Sequence, residues 1–237
     1  LYIMADLFYL SVEERALVER VIKCDGSTVL WIYAPGYLDD RSASLANMEK
    51  ITGMGFGMKD VREELNVRIS RFDHPITAGL PEGMAYGTGV DREQYTHPPR
   101  IQYLADTRVT PAFYVDDPDV EVLGVAESTG HPGLVIKDMG TWRSVYSAAP
   151  VMSWQIMRNI ARWAGVHLYS DIGDMVWGND RFLAIYAQSE GMRTIRFPKI
   201  MNVEEAYDSR PLGVQLNQIN LHMKRWETRL LLMHNGR

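Results

Sequence analysis

Cysteine is almost absent. Cys24 is the only one in 237 residues, which excludes an intramolecular disulfide and leaves no thiolate set for a metal. The compartment stays open, because a chain of this length does not need disulfides even where they could form. Basic charge is also short, with 25 Lys and Arg against 30 Asp and Glu and a net charge of −5. No local run of Lys or Arg offsets this, so a nucleic-acid partner is not expected. No apolar stretch approaches the ~18 residues a membrane span needs, and no membrane partner is expected either.

Catalytic signatures are equally scarce. There is no Gly-x-Cys-x-Gly or Gly-x-Ser-x-Gly elbow, and Arg143-Ser144-Val145-Tyr146-Ser147 alternates as a strand does. The histidines at 74, 97, 131, 167, 222 and 234 form no His-x-His, His-x-x-His or His-Glu-x-x-His pair, so neither metal nor cofactor is expected. Asp73-His74-Pro75 and Thr96-His97-Pro98 read as loop entries, since proline disfavours helix in the residue before it. Gly53-Met54-Gly55-Phe56-Gly57 follows a helix rather than a strand, which fits a C-cap and not a phosphate loop. Asp39-Asp40, Asp116-Asp117 and Glu204-Glu205 are adjacent pairs. Neighbours on a strand point to opposite faces, so these read as solvated turn residues and not as a glycosidase pair.

What remains is an ordinary globular composition, 46% apolar and 23% charged. Leu1–Met4 reads as a buried strand, so the chain is expected to be a piece of something longer that lacks its first strand. Ser11-Val12-Glu13-Glu14 has capping-box spacing. Val12, Ala16, Leu17, Val21 and Ile22 form an apolar helical stripe behind it, closed by Asp25-Gly26. Thr28–Tyr33 is a strand covered on both faces, and Ser44–Thr52 a second helix. This β-α-β-α order predicts a parallel sheet with flanking helices.

Short strands follow at Val67–Ser70, Ala112–Val115, Val120–Ala126, Gly133–Ile136 and Trp142–Tyr146. A helix over Ser153–Ala164 comes next, with Trp154 in its apolar stripe. Trp31 and Trp154 sit in patterns that predict core, while Trp142, Trp177 and Trp226 are free of such a pattern. Past Gly165 only strand patterns remain, at His167–Tyr169, Met175–Trp177, Phe182–Tyr186, Arg193–Phe197, Val214–Leu221 and Thr228–Met233. The expected division is an α/β module over 1–166 and a small antiparallel β-sandwich-type domain over 167–237.

Several phrases together carry a resemblance. Val29-Leu30-Trp31-Ile32-Tyr33-Ala34-Pro35-Gly36-Tyr37 and His74-Pro75-Ile76-Thr77-Ala78-Gly79-Leu80-Pro81 resemble the glutamine-amidotransferase-like module of bacterial glycoside hydrolases. The trimerisation domains of family 42 β-galactosidases are such modules, and trehalose-utilisation-like proteins share the general fold. Arg143–Pro150 and Arg158–Tyr169 look like the end of that module. Phe182–Tyr186, Arg193–Pro198 and Glu227–Leu230 look like the β-domain that follows it. The resemblance implies a flavodoxin-like sheet, a trimer, and catalytic carboxylates on a preceding (β/α)8 barrel. That barrel needs ~250 residues, which this chain does not hold. The amidotransferase cysteine is missing from its elbow.

Two functions follow as expectations. The first is a non-catalytic C-terminal portion of a carbohydrate-active enzyme, serving oligomerisation and supporting the active site. The second is a free-standing hydrolase or sugar-binding protein with its site in the loops after the parallel strands, where open α/β sheets place ligands. Tyr37, Asp39, Asp40 and His74 are the candidate ligand-binding residues, carbohydrate the candidate partner, and no catalytic residue is assigned.

Overall fold

The computed structural model shows a mixed α/β fold dominated by sheet, with residues 1–90 and 107–235 described. Thr96-His97-Pro98 lies outside the described residues. The chain divides into two units, Leu1–Gly165 and Val166–Arg237.

The first unit opens with β1 (Tyr2–Met4), α1 (Val12–Leu17), β2 (Thr28–Ile32) and α2 (Leu45–Thr52). It continues through β3 (Phe56–Lys59), β4 (Glu63–Glu64), β5 (Asn66–Ile69), β6 (Ala85–Gly87), β7 (Arg108–Val109) and β8 (Ala112–Val115). It ends with β9 (Glu121–Ala126), β10 (Pro132–Asp138), β11 (Arg143–Ser147) and α3 (Trp154–Trp163). Seven strands make one sheet in the order β1-β2-β11-β10-β9-β5-β6. Parallel pairing is confined to β1–β2 and β2–β11. The rest is antiparallel, because the connections between β9, β10 and β11 are hairpins too short for the crossover a parallel pair requires.

β2 is buried along its whole length, as a continuous apolar run in a central strand should be. Each such side chain contributes about 1.5–3 kcal/mol by leaving water. Trp31 Nε1 donates to Ser144 Oγ at 3.0 Å, and Ser144 Oγ donates to Thr52 O at 2.7 Å, whereas the buried Thr28 Oγ1 has no hydrogen-bond partner among the described residues. One chain of bonds therefore ties β2, β11 and α2.

The first helix departs from expectation. Its capping box forms, with Ser11 and Glu14 bonding reciprocally. After Leu17, however, the backbone widens into a π-helix over Val18–Ile22, which rotates the later side chains off the 3.6-residue stripe. Val18 is buried instead, while Val12, Leu17 and Val21 are exposed. The second helix follows the reading, with Ser44 as N-cap and Gly53 in the left-handed conformation closing it. Trp31 is core, but Trp154 is 39% exposed under the Arg158 guanidinium at 5.1 Å. It stands at the first helical position, outside the face carried by Ile156, Asn159 and Ile160.

The second unit is one five-stranded antiparallel sheet, where a two-sheet sandwich was expected. Its strands are β12 (Met175–Gly178), β13 (Phe182–Tyr186), β14 (Gly191–Glu205), β15 (Pro211–Met223) and β16 (Thr228–Asn235). They lie in the order β12-β13-β16-β14-β15. The difference arises in β14, which continues through Pro198 as a single 15-residue strand. It shifts register between Arg196 and Met201, and such irregularities bend a strand and raise its twist. A single sheet thus encloses Leu183, Ile185, Ile195, Phe197, Met201, Val203, Leu221, Met223, Leu231 and Met233. His167–Tyr169 is not a strand.

Inside this small core lies a buried ion pair. Arg193 Nε donates to Asp174 Oδ2 at 2.9 Å and Nη2 to Oδ1 at 3.2 Å, with both side chains essentially inaccessible. Nη1 donates to Gly191 O at 2.6 Å, and Nη2 also reaches Ser189 O.

Candidate functional site

The C-terminal ends of β1 and β2 open onto the loops where an α/β sheet offers a site. β2 ends abruptly at Tyr33, whose φ of +65° is left-handed, an outlier for a bulky residue. Tyr33 N donates to Ser147 O at 2.8 Å, and Tyr33 O accepts from Tyr146 Oη at 2.6 Å. A strained residue at a strand end is the geometry of a nucleophile elbow. Here, however, the phenol donates to Pro111 O at 2.8 Å, and burial pushes its pKa up to about 12. The elbow carries a locked, protonated tyrosine.

Beside the elbow is a cavity of about 520 Å³ between α1, α2 and the loop that joins β2 to α2. Its lining includes Val12, Arg15, Ala16 and Glu19 from the first helix, the 39–41 segment, and Asn47, Lys50 and Ile51 from α2. Arg15 fastens the walls. Nε donates to Leu10 O at 3.2 Å, Nη1 to Asn47 O at 3.0 Å, and Nη2 to Gly36 O at 2.6 Å and Leu38 O at 3.2 Å. Gly36 is required twice over, since its φ is +59° and a Cβ there would stand 3.2 Å from the guanidinium.

Asp39 Oδ1 accepts from Arg41 N at 2.8 Å and Ser42 N at 2.7 Å, and these backbone bonds hold the carboxyl below its ordinary range. Asp40 Oδ1 accepts from Tyr9 Oη, and that bond raises the phenol. The side chains of Arg41 and Lys50 have no hydrogen-bond or ion-pair partner among the described residues.

Asp39 and Asp40 therefore share the cavity, whereas the other two candidates stand elsewhere. Tyr37 lies beneath the loop, edge-on to Phe113 at 5.0 Å, with its hydroxyl 3.8 Å from Met58 Sδ. His74 belongs to the opposite edge of the sheet. β5 runs against the direction of β2, so the loop after Ile69 emerges where β2 begins. There His74 Nδ1 accepts from Ile76 N at 3.1 Å, and its ring meets Trp163 edge-on at 5.5 Å. Asn159 Nδ2 anchors the same loop at Ile76 O, 3.0 Å away.

Burial, the largest influence, lowers the His74 pKa. The unfolded chain therefore takes up the proton first, and the contribution of neutral His74 is lost as pH falls through its folded pKa. Acidification from about pH 7 to about pH 5 should lower the protection of the Ile76 amide relative to its intrinsic exchange rate at each pH, and a His74→Phe variant should lose that dependence. Unchanged protection in the native protein across this range would remove the basis for the claim.

The sequence reading missed Tyr9, Arg15, Asn47 and Lys50. Spacing of 12, 15, 16 and 19 along the first helix was a usable signal for the cavity wall, hidden behind the more apolar stripe. One member of each of two acidic pairs, Asp117 and Glu205, also differs from expectation. Asp117 pairs with Lys137 at 2.7 Å and accepts from Gly55 N at 3.1 Å, while buried Glu205 accepts from Arg229 Nε at 2.6 Å. These are internal ties and not solvated turns. Gly53 caps α2, and the Tyr114 ring covers Gly57 closely enough to exclude any side chain there. Among the described residues no group of three His, Cys, Asp or Glu could hold a metal ion, and Cys24 is an exposed free thiol.

No family model matches the sequence, and no curated protein matches it. Solved structures do. A β-galactosidase from Bacillus circulans sp. alkalophilus superposes with a TM-score of 0.59 at 12% identity, over 98% of this chain and 32% of that one. The chain has the fold of a β-galactosidase module. A β-galactosidase from Rahnella sp. R3 gives 0.60 at 9% identity, again over 98% and 32%. A GH42 β-galactosidase from G. stearothermophilus gives 0.54 at 13%, over 97% and 31%. At such identities the likeness establishes fold alone. This module spans about a third of the length of those β-galactosidases.

Proposed function

We propose that this chain is a non-catalytic portion of a glycoside hydrolase of the β-galactosidase kind. In this reading residues 1–166 form a flavodoxin-like, glutamine-amidotransferase-like module and 167–237 its following β-domain. The module brings copies together as a trimer and supports an active site carried on a domain elsewhere. The observation that carries the proposal is the match of nearly the whole chain to about a third of each β-galactosidase. Two local features support it. Tyr33 fills the elbow without supplying a nucleophile. Within the first unit, exposed apolar side chains concentrate in the first 38 residues, with Leu17 and Val21 one helical turn apart, as a surface that meets another copy would have them.

The chain should show no aryl-β-galactoside hydrolysis above buffer, and light scattering should give three times its 27.0 kDa. Leu17→Glu should shift it to the monomer by burying a charge in the interface. Hydrolysis that disappears in Asp39→Asn and Asp40→Asn would instead favour a free-standing enzyme. The cavity holding those two carboxylates gives a second reading its footing: a ligand site in the loops after the parallel strands.

A further inference from the structure

We infer that the cavity between the first helix and α2 binds a neutral monosaccharide, with Asp39 and Asp40 accepting from ring hydroxyls and Arg41 and Lys50 donating to them. The inference rests on the second reading above, a ligand site in these loops, and adds its chemistry.

The volume, about 520 Å³, falls in the 300–1,000 Å³ range of small-molecule sites. Three cations and three carboxylates line it, namely Arg15, Arg41 and Lys50 against Glu19, Asp39 and Asp40. Two of the six are already spent, Arg15 on four carbonyls and Glu19 on Lys23. What is left to bond a ligand is two acceptor groups and two donor groups, with the Arg15 charge behind them. Such a lining matches a ligand whose groups both donate and accept. Sugar hydroxyls do both.

The acceptors are prepared for this. All the bonds that Arg41 and Ser42 make to Asp39 fall on Oδ1, and the Tyr9 hydroxyl likewise takes Oδ1 of Asp40. Oδ2 of Asp40 is left to accept from a ligand, and Asp39, which the Asn47 side chain also reaches, stays ionised through the acid side of neutrality. The rest of the surface suits the C–H face of a pyranose. Val12, 62% exposed, is in the lining, and Tyr9, 48% exposed and outside the lining, is tied to it by its bond to Asp40. An amphipathic phenol beside a charged acceptor offers one apolar and one polar surface to the same ligand. Arg15 holds both walls in place before anything binds, which lowers the ordering cost of association.

The test is a titration of the 237-residue chain, followed by backbone amide NMR, with galactose, glucose, glucuronate and inorganic phosphate. Saturable binding of a neutral hexose should perturb the amides of 39–42 and 47–51. Asp40→Asn and Lys50→Ala should each weaken it about tenfold, the worth of one charge-assisted bond. Both side chains are on the surface, so the folds should survive. Asp208→Asn, in the other unit, is the control and should bind as the parent does. If glucuronate or phosphate perturbs these amides and neither hexose does, the cavity is a ligand site but the sugar assignment is wrong. If nothing perturbs them, or if the two variants bind hexose as tightly as the parent, both the assignment and the site reading fall.

Discussion

Asp174→Asn should destabilise the second unit by about 3–5 kcal/mol, the cost of leaving a buried charge without its partner. Arg193 is 1% exposed, and its guanidinium would retain only uncharged acceptors, the carbonyls of Gly191, Ser189 and Met223 and the Ser189 hydroxyl. These satisfy its protons without neutralising its charge. A unit of some seventy residues has only a few kcal/mol to lose, so the variant should lose its unfolding transition near room temperature. The double change Arg193→Met with Asp174→Leu should recover most of the loss, because replacing a buried pair by apolar side chains is often neutral or better. Thermal unfolding followed by near-ultraviolet circular dichroism would show it. A double variant no more stable than Asp174→Asn would mean that the pair contributes through its geometry and not through charge compensation.

Arg15→Met should have the second largest effect, and it falls on the candidate site. The guanidinium makes four bonds to carbonyls of residues 10, 36, 38 and 47. Bonds to a charged donor contribute about 1.5–3 kcal/mol each and are not additive. A loss of about 3 kcal/mol in the first unit is expected, with faster amide exchange across 36–44. Methionine keeps most of the aliphatic stem, so a small effect would show that packing and not hydrogen bonding fixes the loop. Hexose binding should disappear in the same variant, since Asp39 and Asp40 are positioned by the loop that Arg15 anchors.

Much of the fold is legible in the residues, and the exceptions have physical causes. The capping boxes and caps at Ser11, Ser44 and Ser153 are local chemistry, satisfied within three residues, so they can be read from the chain. The π-helix over Val18–Ile22 is not local in that sense. Within it Val18 is buried and Val21 exposed, and no single-sequence periodicity signals a change of pitch. The strand β14 was cut short at Pro198 because proline ordinarily ends a central strand. It is accommodated here at a register shift, where a ladder bond is already missing.

The site divides in the same way. Asp39 and Asp40 were legible as carboxylates following a strand. Arg15 was not, because it reaches residues 21 to 32 positions further along the chain. Tyr37 and His74 shared motif-like contexts with them, but the antiparallel course of β5 carries His74 to the other edge of the sheet.

The mass of the polypeptide in its native source tests the account's central claim most directly. A chain well above 27.0 kDa, detected with an antibody to this module and co-fractionating with β-galactosidase activity, is the predicted result. A polypeptide of 27.0 kDa that separates from all glycosidase activity would contradict it.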